Sequence, residues 1–196
     1  MKLFSVIAGL VSGALLLALS SCSSGDVAPP AWGKGLDAEL RPMGFGNWII
    51  VSESSFPSHS GRGVRTVMVD GEIPEVIDYI VDYYDNSENV KPTFNSAREL
   101  PFVENDRAPG ADEYRKELKK ALHGHEVREM DHRSLALLAQ RNSGKFAVLV
   151  VKTKTALPYS SMFIELDTGY WDRDSEDALR DKMRGTRKPT IPLNTP

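Results

Sequence analysis

The sequence predicts an α/β domain with a largely parallel sheet and helices on its faces. Three observations carry that expectation. Short β-branched runs alternate with segments whose apolar residues recur at helical spacing, as strand and helix units do in α/β folds. The chain has 196 residues, 41% hydrophobic and 26% charged, a globular composition at a length that suits one domain. Its only cysteine is Cys22, so neither an intramolecular disulfide nor a cysteine-based zinc site can form, and stability must come from a buried apolar core.

The order of elements begins with a leader. Residues 1–21 carry one charge, Lys2, followed by an apolar run from Leu3 to Leu19 that Ser5, Gly9, Ser12 and Gly13 interrupt. That is the layout of an export signal rather than of a spanning helix, which needs about 20 consecutive apolar residues. Leu19-Ser20-Ser21-Cys22 resembles a bacterial lipobox, in which the cysteine thiol is lipidated and becomes the new N-terminus. The sorting rules that come with this resemblance put a protein with Ser23 after the cysteine at the outer membrane, facing the periplasm of a Gram-negative-type bacterium; another envelope membrane is the alternative. Residues 22–35, rich in Ser, Gly and Pro, read as a flexible tether. The folded domain is expected over 36–183, and 184–196, with Pro189, Pro192 and Pro196, as a loose tail.

Within the domain, Trp48-Ile-Ile-Val-Ser-Glu53 is a short apolar run after Gly44 and Gly46 and predicts a buried strand. Val64 to Val69 predicts a second. Pro74 suits a first helical turn, and Val76, Ile77, Ile80, Val81 and Tyr84 then form one apolar face. A second helix is expected from Ala111 to Leu122, and a third, capped by Asp131, with Leu135, Leu138 and Ala139 inward and its end near Gly144. Phe146 to Lys152 reads as a central strand and Met162 to Leu166 as another.

Charge narrows the function classes. Lysine and arginine number 24 against 27 acidic residues, a net charge of −3. A nucleic-acid binder needs a basic face that releases counterions from phosphates, so no nucleic-acid partner is expected. Gly44-Phe-Gly46 lacks the third glycine and following helix of a dinucleotide fingerprint, and no cofactor is expected. His123, His125 and His132 lie near Glu126, Glu129 and Asp131, residue types that suit zinc or iron. His123-Gly-His125, however, falls where a helix ends and its dipole favours a cation, so no metal is expected. Ser58-His59-Ser60 with Asp70 lacks the G-x-S-x-G elbow of a hydrolase. Tyr79, Tyr83 and Tyr84 read as packing, while Tyr170 and Trp171 suit either packing or a sugar platform.

One constellation spans most of the domain. Met43-Gly-Phe-Gly-Asn-Trp-Ile-Ile-Val-Ser-Glu-Ser-Ser-Phe-Pro57, the Val-Arg-Thr strand, Gly71-Glu-Ile-Pro74, and Val151-Lys-Thr-Lys-Thr-Ala-Leu-Pro-Tyr-Ser-Ser-Met-Phe-Ile164 together resemble the D-ribose pyranase and L-fucose mutarotase (RbsD/FucU) family. The resemblance implies a single RbsD/FucU-like α/β domain, a monosaccharide ligand and a homo-oligomer with sites at subunit contacts. It also implies roles. Glu53 stands at the family's aspartate and His132 at its second histidine, the candidate catalytic pair. Tyr159 matches the family tyrosine, Lys152 replaces an arginine, Phe45 stands where the motif histidine belongs and Ser161 where an asparagine does, the candidate ligand-binding set. Opening a sugar ring needs one group to take the anomeric hydroxyl proton and another to protonate the ring oxygen, which a phenyl ring at position 45 cannot do. Three readings stay open: a protein that binds a monosaccharide-like or other small polar ligand without catalysis, an active sugar mutarotase or pyranase using Glu53 and His132, and a non-catalytic structural oligomer.

Overall fold

The structure, a computed structural model, describes residues 28–185. The signal segment, Cys22 and the proline-rich end of the tail lie outside the described residues. The chain divides before Ala31, and every element below lies after that boundary.

The first helix, α1 (Gly33–Leu40), starts two residues before the expected end of the tether. It buries Leu36 and Leu40, and Gly33 sits so close under Tyr79 that a Cβ there would stand 2.9 Å from the tyrosine oxygen. The remaining elements are β1 (Trp48–Ser52), β2 (Val64–Met68), α2 (Ile73–Asp85), β3 (Val90–Ala97), α3 (Ala111–Ala121), β4 (Val127–Met130), α4 (His132–Asn142), β5 (Val148–Lys152), β6 (Met162–Thr168) and α5 (Arg173–Gly185), with a 3-10 turn at Leu100–Phe102. Helix α5 runs past Met183, where the domain was expected to close. Among the described residues no helix is long and apolar enough to cross a membrane.

The strands form one six-stranded sheet in the order β2-β5-β1-β6-β3-β4. Strands β1 and β2 pair parallel with β5, and β3 pairs parallel with β4. Strand β6 runs antiparallel between β1 and β3. The expected largely parallel sheet is therefore a mixed one. The physical reason is the connection into β6: a loop from Thr153 to Ser161 turns the chain back at the carboxyl ends of its neighbours, without the crossover helix that a parallel strand requires.

Alternation along the strands separates two cores. Ile49 and Val51 of β1, with Leu149 and Val151 of β5, face the larger one, which α1, α2 and α3 cover with residues such as Leu40, Ile77 and Leu118. Trp48, Ile50, Val148, Val150 and Phe163 face the smaller one, which Leu135 of α4 covers with Phe56. Both faces of β1 are buried, which is why its sequence reads as a continuous apolar run. Helix α2 starts with a capping box between Glu72 and Glu75 and carries Pro74 in its first turn. Each fully buried isoleucine on it, Ile77 or Ile80, contributes about 1.5–3 kcal/mol over an exposed one. The α4 face has the thinner cover, and there the molecule leaves a cleft.

Candidate functional site

Glu53 follows the last residue of β1, where the apolar run gives way to the turn Ser54-Ser55. The turn is fixed by its own backbone: the Phe56 N–H donates to the Glu53 carbonyl at 3.1 Å, and Ser54 N–H donates to the Thr155 carbonyl at 2.8 Å. Ser161, fully buried just before β6, donates its hydroxyl to Glu53 Oε2 in a close contact and accepts from the Glu53 N–H at 3.4 Å. Its loop is held from below, because buried Tyr114 of α3 donates to the Ser160 carbonyl at 2.5 Å. Burial pushes the Glu53 carboxyl above its ordinary value of 4.5, against a backbone hydrogen bond and the charges of His132 and Lys152, which lower it.

His132 opens α4. Its N–H points at Glu99, whose two carboxylate oxygens accept at 3.2 and 3.3 Å, so an anion sits at the positive end of that helix. The ring lies edge-on to Tyr159, with centroids 5.5 Å apart, and to Phe163 at 6.5 Å. Its Nδ1 is buried and has no hydrogen-bond partner. A buried polar nitrogen left unpaired is uncommon and calls for a ligand, an ion or water to complete it. Tyr159 reaches the ring from a left-handed backbone, φ 59°, a conformation that costs a non-glycine residue of order 1–3 kcal/mol and is found where function requires it.

Glu53 and His132 line one cleft of about 710 Å³, whose floor includes Ile50 and Val148. The size lies within the range of small-molecule sites. The structure thus brings Glu53, His132, Tyr159 and Ser161 together, with Lys152 close enough at the end of β5 for its charge to act on Glu53. A carboxyl and an imidazole that line one cleft can exchange protons with a ligand hydroxyl.

Phe45 does not join them. It precedes β1 at the opposite end of that strand, is 66% exposed, and lines a separate cleft with Tyr170 and Trp171. A residue before a strand and one after it are separated by the strand's own length, so within one chain Phe45 and Glu53 cannot share a ligand. Tyr170 and Trp171 are themselves exposed rather than packed. The histidines His123 and His125 lie apart from the cleft as well, bonded to Asp78 at 2.8 Å and to Asp85 at 2.9 Å on α2. Among the described residues no group of three histidine, cysteine or acidic side chains could hold a metal ion.

Residues not singled out from the sequence also line the cleft. Phe56 packs its ring against Phe163 and His59, and His59, Arg62, Gln140 and Ser143 form the rest of the rim. From the sequence, His59 stands out only beside Ser58, Ser60 and Asp70, as a hydrolase-like grouping. The available signal was its place in the loop between two strands, at the sheet end where Glu53 lies.

No family model and no curated protein matches the chain. Solved structures do. The Bacillus subtilis RbsD complexed with D-ribose is 16% identical, over 68% of this chain and 91% of its own, with a TM-score of 0.48. The fucose mutarotase from Streptococcus pneumoniae in complex with L-fucose is 20% identical, over 68% and 91%, with a TM-score of 0.45. FucU from Bifidobacterium longum is 16% identical, over 68% and 94%, with a TM-score of 0.44. The structural neighbours of the chain are RbsD/FucU proteins at low sequence identity.

Proposed function

We propose that the chain binds a monosaccharide-like polar ligand in the cleft between Glu53 and His132. The observation that supports this most is the pairing of a partly buried carboxyl, raised by that burial, with an imidazole whose buried Nδ1 no protein group satisfies. A sugar hydroxyl donates and accepts at once, and so completes both. Tyr159 packs its ring against His132, and an aromatic ring with a hydroxyl suits a sugar in its amphipathic manner.

The same pair favours catalysis as a second reading. In ring opening, one of the two takes the proton of the anomeric hydroxyl as the other protonates the ring oxygen. The ring C–O bond breaks to leave an aldehyde, and the reverse transfer closes the ring on either face. No oxidant or cofactor enters this balance.

Titration calorimetry with a panel of monosaccharides on the purified full-length protein tests binding. Glu53→Gln is expected to weaken it by roughly 1.5–3 kcal/mol through loss of a charge-assisted hydrogen bond, and Tyr159→Phe by about 0.5–1.5 kcal/mol. Unchanged affinity in both variants removes the assignment. Saturation-transfer NMR on ribose and fucose separates the two readings. Exchange at the buffer rate supports binding alone, and accelerated exchange that Glu53→Gln abolishes establishes the enzyme.

The setting is proposed from the sequence: a lipid on Cys22 anchors the domain at the outer membrane facing the periplasm, and copies associate through the Pro158-Tyr159-Ser160 segment.

A further inference from the structure

We propose that the cleft recognises a sugar carrying an anionic substituent, a carboxylate or a phosphate, with Arg62 and His59 reading the charge while Glu53 and His132 hold the hydroxyls. The proposal rests on the sugar-binding reading and specifies its ligand.

The cleft is electrically lopsided. Glu53 is the one carboxylate on its wall. Arg62 and His59 line it as well, and neither forms an ion pair with an acidic side chain among the described residues, whereas Arg65 at the start of the following strand is paired with Glu39. Gln140 and Ser143, at and just after the end of α4, add polar, neutral groups to the lining. A chain of net charge −3 therefore keeps an uncompensated cation on the wall of its ligand cleft.

The backbone that carries Arg62 is fixed on both sides. Arg62 precedes Gly63, where a Cβ would stand 2.1 Å from the Ser143 carbonyl oxygen and 3.0 Å from that of Phe146. The backbone thus presses directly on the loop that follows α4. The Val148 N–H donates to the Gly63 carbonyl at 2.8 Å, and the Val64 N–H closes a turn onto the Gly61 carbonyl at 3.0 Å. The Arg62 side chain is exposed, but its backbone leaves the loop one residue from a fixed contact, and the residue lines the cleft. The planar guanidinium fork matches both carboxylate and phosphate oxygens in pairs of hydrogen bonds. A ligand bridging the cleft then places hydroxyls at Glu53 and His132 and its charge at Arg62.

The test is titration calorimetry on the purified full-length protein at one ionic strength, comparing D-ribose with D-ribose 5-phosphate, D-glucose with D-glucuronate, and inorganic phosphate alone. At least one anionic sugar should bind about tenfold or more tightly than its neutral counterpart. The advantage should vanish in Arg62→Ala, return in part in Arg62→Lys, and persist in Glu53→Gln, which weakens both members of a pair alike. The two sugar pairs distinguish phosphate from carboxylate. Equal affinity within both pairs, or an advantage that survives Arg62→Ala, overturns the proposal; the sugar site itself still stands if Glu53→Gln weakens binding. Inorganic phosphate bound as tightly as the sugar phosphate overturns it too, since the sugar then contributes nothing. If none of the sugars binds, the functional reading falls with it. Arg62 is exposed, so its variants are expected to fold, and a melting curve checks this.

Discussion

Glu53 carries opposing demands, and its stability signature should reveal them. Burial raises its pKa in the folded state, so the native protein holds this proton more tightly than the unfolded chain does. Glu53 therefore adds stability below the ordinary value of 4.5, and loses it as pH rises through the raised one. Replacing it by glutamine removes that loss. Glu53→Gln should melt at or above the wild-type temperature at pH 7, with a smaller decline between pH 4.5 and 7, while binding ligand less well. A variant less stable at pH 7 and with an unchanged pH profile would mean that the carboxylate is a structural group. The sequence exposed Glu53 because it ends an apolar run. His132, Tyr159 and Ser161 were drawn to it only through resemblance, and the same resemblance carried Phe45 in, although it lies at the far end of β1. His59 and Arg62 were hidden for a different reason: a loop residue's orientation depends on what its backbone touches, here a loop remote in sequence.

That touch belongs to the next scale, where Gly63 joins β2 to the loop between α4 and β5. Gly63→Ala has to push the Ser143 carbonyl aside, so it should destabilise the fold by about 1–3 kcal/mol, as overpacking does. It should also weaken any ligand that depends on Arg62. Gly61→Ala is the control: its nearest neighbour beyond the adjoining residues is the Val64 side chain at 3.4 Å, an ordinary contact, and its melting temperature should stay near wild type. If the two alanine variants melt together, the close approach has no energetic weight. Elements with a strong apolar pattern, β1, β5, β6 and α2, were legible from the sequence. Strand β3 was not, since Val-Lys-Pro-Thr-Phe-Asn-Ser-Ala mixes polar residues with a proline. The topology explains how the proline fits. Strand β4 pairs only with Phe94 to Ala97, so Pro92 bonds to β6 alone, and its missing N–H faces no second strand. Strand β4 is a four-residue edge, half-exposed, and α5 buries none of its residues. Neither offers the burial pattern on which a prediction rests.

For the molecule as a whole, the two faces of the sheet divide the work. The larger core under α1, α2 and α3 holds the fold, and the thin cover of α4 on the other face leaves room for the cleft. The chain's net charge of −3 offers no net attraction to anionic lipid. The attachment proposed from the sequence is the lipobox-like Leu19-Ser20-Ser21-Cys22 and the acyl chains its cysteine would carry. Each buried CH₂ contributes about 0.8 kcal/mol; one acyl chain holds marginally, whereas several on one residue anchor stably. Attachment should then be all or none with respect to one sulfur atom. Cys22→Ser is expected to move the protein from the membrane pellet to the soluble fraction of fractionated cells, with the melting temperature and sugar affinity of the domain unchanged. Unmodified protein should stay in the pellet through a carbonate wash, which strips proteins held by charge alone. If Cys22→Ser stays there as well, the apolar run Leu3 to Leu19 is itself the anchor and has not been removed; if both forms wash off, there is no lipid.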